Sequence, residues 1–120
     1  MAESEFNLMW VKQSPTKWCR LLELDFDLIR TYGVYVIWDG GGPSRVVRVG
    51  HGHIGAEFKA CVADPRVMAC LRDGPLFATW AAADAFAAPR IHRYLEDELR
   101  PLIAEPLGAN VVALAARLPF

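Results

Sequence analysis

The feature that most constrains this chain is a pair of β-rich runs joined by glycines. Gly33-Val34-Tyr35-Val36-Ile37-Trp38 is followed by Asp39-Gly40-Gly41-Gly42 and then by Arg45-Val46-Val47-Arg48-Val49-Gly50. β-Branched and aromatic residues fit an extended, pleated backbone. A glycine cluster between two such runs lets the chain reverse tightly, because glycine reaches positive φ without a Cβ clash. The spacing predicts an antiparallel hairpin, with residues 34–38 paired against 45–49.

Beyond it the period changes. Ile54, Phe58, Cys61 and Val62 recur at helical spacing, which predicts a helix over about 54–63. Asp64-Pro65 ends that helix or opens the next loop. Asp73-Gly74-Pro75 marks a turn, and residues 76–80 (LFATW) read as a third strand of the same sheet. Pro89 suits the first turn of a second helix over about 89–100, with Ile91, Tyr94, Leu95, Leu99 and Leu102 on its apolar face. Residues 6–11 (FNLMWV) fit either a strand or a packed arm. Residues 18–29 begin like a helical turn and then alternate like a strand. Residues 111–114 are apolar enough to dock as a final strand. The order hairpin, helix, strand, helix predicts an α/β (α+β) domain: a small, mostly antiparallel sheet of three or more strands flanked by helices.

The 120 residues suit a single domain, with a core over about 33–103, an N-terminal arm over 1–32 and a C-terminal docking segment over 104–120. No apolar run approaches the roughly 18–20 residues that cross a bilayer. The acidic start Met1-Ala2-Glu3-Ser4-Glu5 lacks the basic head of a secretory signal, so the expected compartment is the cytoplasm and no membrane partner is expected. The formal net charge of −1 counts against tight, general nucleic-acid binding, which draws on a basic excess. Cys19, Cys61 and Cys70 are widely spaced, with no Cys-x-x-Cys pair, and read as buried free thiols.

Gly33-Val34-Tyr35, then Val47-Arg48-Val49-Gly50-His51-Gly52-His53-Ile54, then Leu76-Phe77-Ala78-Thr79-Trp80, then Arg93-Tyr94-Leu95 with Leu99-Arg100-Pro101, together resemble the GIY-YIG nuclease superfamily, in a short bacterial form. The order and spacing of these pieces carry the likeness. The resemblance implies a central three-stranded sheet flanked by helices. It implies phosphodiester cleavage with one divalent metal, Mg²⁺ or Mn²⁺, and DNA or RNA as the partner. Family members use a tyrosine on each hairpin strand, an arginine on the first helix and a metal-binding glutamate on the later helix. Carried onto this sequence, those positions are Tyr35, Arg48, Glu57 and His92; only the first keeps its residue type. Glu57 places a negative charge where a phosphate clamp belongs, while Lys59, two residues on, offers a point charge for substrate binding. A histidine does not replace the hard oxygen ligand that Mg²⁺ prefers.

Each of these residues also has a plainer role open to it. Tyr35 is either a catalytic phenol or a strand aromatic with its hydroxyl at the sheet surface. Arg48 either takes an anion or is a solvated edge-strand arginine, and Glu57 is most simply an exposed helix residue. His51 and His53 point the same way from an extended strand. With His92, and Glu96 one turn later, they form a candidate set of metal ligands that would favour Zn²⁺. His51 is also a candidate substrate contact. The sequence supports three functions: a nuclease-derived domain with impaired or rewired chemistry, an active metal-dependent endonuclease, and a non-catalytic module that binds a protein partner.

Overall fold

The structure, a computed structural model, describes residues 6–41, 44–105 and 107–120. Gly42 of the expected hairpin turn lies outside the described residues. In chain order the elements are β1 (Cys19–Arg20), β2 (Tyr32–Asp39), β3 (Arg45–His53), α1 (Ile54–Val62), α2 (Pro65–Met68), β4 (Leu76–Ala82) and α3 (Ala87–Leu99). Short 3₁₀ turns occupy Leu21–Glu23, Phe26–Leu28 and Ala69–Asp73. The strands form one antiparallel sheet in the order β1-β4-β2-β3. The α+β class expected from the sequence is the class observed, with a fourth, two-residue strand added at one edge.

β2 lies between β4 and β3, so both its edges are hydrogen-bonded and residues 33–39 are all buried. Its alternation splits the core into two layers. Tyr35 and Ile37 face α1 and pack with Ile54, Phe58 and Cys61. Val34, Val36 and Trp38 face α3 and pack with Ala88, Ile91 and Leu95. Each fully buried Val, Leu, Ile or Phe side chain contributes about 1.5–3 kcal/mol relative to exposure.

The hairpin is not perfectly regular. Ile37 pairs with Arg48, but Trp38 pairs with Val46, so Val47 is an extra residue in β3. This bulge sends Val47 into the α1-side core and keeps Arg48 on that same side.

Capping sets the helix boundaries. Asp84 Oδ1 accepts from the backbone N–H groups of Phe86 and Ala87 at 3.0 and 2.7 Å, which starts α3 two residues before the expected boundary. Pro89 falls in the first turn, where its missing N–H is harmless. Asp64-Pro65 opens a further short helix, α2, with Asp64 accepting from Arg66 N at 2.9 Å and Pro65 in its first turn. α3 ends at Arg100, whose φ of 47° is left-handed, just before Pro101.

One terminal segment departs from the strand expectation, and the other takes the arm alternative. Residues 111–114 form no strand; Leu114 N–H donates instead to Arg90 O of α3 at 3.0 Å. They lie over a helix, not along a sheet edge, so no ladder is open to them. Residues 6–11 form a packed arm, held by a single parallel bridge from Phe6 to Ala116 and by Val11 against β4. Residues 18–29 resolve into β1 and two of the 3₁₀ turns. Among the described residues no helix is long and apolar enough to cross a membrane.

Candidate functional site: a polar chain around the edge strand

Tyr35 sits mid-β2, directly opposite Gly50 of β3. Its ring lies over that glycine: a Cβ at position 50 would meet Tyr35 Cε2 at 2.6 Å. On the other side the ring packs edge-on against Phe58, with centroids 5.3 Å apart. The hydroxyl donates to Glu57 Oε1 at 3.2 Å and lies 3.7 Å from Cys61 Sγ. Tyr35 is 0% exposed, so its hydroxyl is covered rather than at the sheet surface. Burial drives its pKa far above the ordinary phenol value, and the phenol keeps its proton. Glu57 is half-buried, not exposed, because it folds back over Gly52 toward that hydroxyl.

Arg48 is the charged centre of the α1 side. Its side chain is only 12% exposed, which a solvated edge arginine would not be. Nη2 is ion-paired with the Glu105 carboxylate, and Nη1 lies 3.4 Å from Asp64 Oδ2. Asp64 belongs chiefly to Arg66, which it meets through Nη2 at 2.7 Å and Nε at 3.1 Å. Those hydrogen bonds hold the Asp64 carboxyl down to about 2.

On the α3 side, His51 and His92 meet. His51 lies on β3 opposite Val34, and His92 on α3 is 2% exposed. Their Nδ1 atoms are 2.8 Å apart, and His92 Nε2 is 3.0 Å from Glu96 Oε1, one helical turn on. The same Glu96 oxygen accepts from Glu105 N–H at 3.0 Å. Because Glu96 Oε1 is already an acceptor, from Glu105 N–H, it accepts from His92 Nε2–H as well, which leaves His92 Nδ1 to accept from His51. Burial lowers the pKa of both imidazoles and favours this neutral pair, against the opposing pull of Glu96 on His92 and of Glu57 on His51.

Glu105 joins the two sides. Its backbone holds Glu96 and its carboxylate holds Arg48. The result is a polar chain, His51–His92–Glu96–Glu105–Arg48, that passes around strand β3 and ends beside Tyr35 and Glu57. Two of the sequence candidates stand outside it. His53 is exposed and packs its ring edge-on to Tyr32, 5.0 Å between centroids, beside an open cavity lined by Phe6 and residues 82–85. Lys59 is exposed and ion-paired with Asp27.

No family model, no curated protein and no solved structure matches this chain.

The donor set does not suit a resident divalent metal. Both ring nitrogens of His92 are engaged in hydrogen bonds inside the protein. Among the described residues no group of three or more His, Cys, Asp or Glu side chains could hold a metal ion. Hard cations such as Mg²⁺ and Mn²⁺ are further disfavoured by imidazole in the place of a carboxylate. Glu105, Asp64 and Cys61 were not singled out from the sequence. Cys61 carried a signal, one helical turn after Glu57 on the same face, whereas Glu105 lies in irregular chain and carried none.

Proposed function

We propose that this protein is a GIY-YIG-like domain descended from a phosphodiester-cutting nuclease, whose inherited site positions now serve chiefly as internal structure. The observation that carries this reading is the state of Tyr35 and Arg48. A phenol with no exposed surface and a strongly raised pKa neither attacks a phosphorus nor accepts a proton from water. With Glu105 and Asp64 in place, the Arg48 guanidinium is masked from a phosphate. Glu57 adds a negative charge at the position that resembles the family's phosphate clamp. Metal chemistry would need an oxygen-rich ligand set, and His92 supplies imidazole. Nucleic acid remains the partner class to which the reading points, bound weakly in keeping with the near-neutral net charge.

The test is incubation of the purified protein with single-stranded, duplex and branched DNA and with RNA, in Mg²⁺ or Mn²⁺. The expected result is no cutting above a buffer control. Robust cutting that disappears in Tyr35→Phe would overturn the reading.

A further inference from the structure

Arg48 is incompletely satisfied in an informative way. One edge of a guanidinium, Nε–H together with Nη2–H, is shaped to take two oxygens of a single anion. Glu105 engages only Nη2, and Nε is buried with no hydrogen-bond partner among the described residues. A buried donor left empty is costly, by about 1–3 kcal/mol. Native structures therefore rarely keep one without cause. Glu105 is also the more exposed member of the pair, 31% against 12% for Arg48.

The segment that delivers Glu105 is a strap. It leaves α3 at the left-handed Arg100, φ 47°, and at Pro101. It docks along the bulged edge of β3, with Leu102 N–H on Val46 O at 3.1 Å and Ile103 N–H on Val47 O at 2.9 Å. Glu105 N–H on Glu96 then fixes its far end. Two backbone–backbone hydrogen bonds, one backbone-to-side-chain hydrogen bond and one ion pair hold this short irregular segment against Arg48, the one cation among Tyr35, Glu57, Cys61 and Arg48.

We propose that Arg48 is an oxyanion-binding site which the chain occupies with its own Glu105, and that its external ligand is a phosphate group taking both Nε and Nη2 when the strap lifts. This rests on the nuclease-descended reading for the choice of phosphate. A free phosphate can take Nε and Nη2 together, whereas Glu105, tethered by the strap, reaches only Nη2. Tethering gives the carboxylate a high effective concentration, on the order of millimolar or more, so the intact strap masks the site. Glu57 and Asp64 remain nearby and oppose the ligand, Asp64 less so because Arg66 balances it.

The experiment compares wild type with Glu105→Gln by calorimetry and by ligand-dependent melting, at low salt with chelator present. The probes are inorganic phosphate and a short single-stranded oligonucleotide. Glu105→Gln is expected to bind about tenfold more tightly than wild type, and Arg48→Gln in the same background to abolish the gain. A gain with both probes assigns the site to any phosphate group; a gain with the oligonucleotide alone assigns it to a nucleic-acid backbone. Leu102→Pro, which removes one strap hydrogen bond and no charge, is expected to give a smaller gain and keeps the proposal testable should Glu105→Gln fold poorly. Equal binding by wild type and both strap variants, a lowered melting temperature with no gain in binding, or a gain that survives Arg48→Gln would each overturn it. Binding is read without cleavage, so failure here is distinct from a positive nuclease assay.

Discussion

On the α1 side of the sheet the central buried cation, Arg48, is answered by opposite charge; on the α3 side the central groups are two imidazoles that answer each other by a hydrogen bond. Arg48 faces Glu105 and Asp64, with Tyr35 and Glu57 beside it. His51 and His92 instead form a neutral pair whose orientation Glu96 sets. A fold can thus keep ionisable side chains inside in two physical ways. A charge that stays must bring its counter-charge, because an unpaired buried ion is costly. An imidazole can discard its charge altogether.

The α1 side depends most on the packing of Tyr35. Tyr35→Ala removes a fully buried aromatic ring from contact with Phe58 and Gly50, and is expected to cost about 3–5 kcal/mol in urea denaturation. Tyr35→Phe keeps the ring and loses only the hydroxyl contacts, for about 0.5–1.5 kcal/mol. Equal losses for the two variants would show that the hydroxyl network, not the packing, holds this side together.

On the α3 side stability depends on pH. Both histidines have folded-state pKa values below the ordinary 6.5, chiefly through burial. The unfolded chain therefore binds more protons as pH falls through and below about 6.5, and stability falls with it. The slope is bounded by about 1.4 kcal/mol per pH unit for each proton taken up. Melting temperatures measured from pH 8 to pH 5 should drop over this window in wild type. The drop should be shallower in His51→Gln. A profile unchanged by that substitution would mean that His51 is not held neutral by the fold.

The smallest effect lies outside both clusters. Lys59 and Asp27 are an exposed pair with side chains 57% and 76% accessible, so Lys59→Ala should leave the denaturation midpoint unchanged. A clear loss would extend the paired-charge side to the protein surface.

The hairpin and α1 were legible because their signals are local: a β-branched run around glycines, and apolar residues at helical spacing. α2 was also written locally, in Asp64 as a cap and Pro65 in the first turn, although the same dipeptide serves equally well as a helix terminator. Contacts between distant elements were not legible. The grouping of His51 with His92 comes from the family likeness; nothing local to either residue says that their Nδ1 atoms come within 2.8 Å. The bulge at Val47, set by packing rather than by a turn residue, decides that Arg48 stays on the α1 side, and Glu105 reaches it from irregular chain. Residues 111–114 show the converse: an apolar run has strand propensity, but a strand needs a free edge, and this run meets α3.

The clasp between the arm and the C-terminal segment bears on how the molecule is made. Phe6 N–H bonds to Ala115 O at 2.8 Å, and Arg117 N–H bonds back to Phe6 O at 2.9 Å. These partners stand at opposite ends of the described chain, and contacts of such long sequence separation form late and slowly. Synthesis at about 5–20 residues per second leaves the first partner waiting several seconds for the second. Until residues 115–117 are made, the α3-side surface that the arm and tail cover together lacks half of its cover.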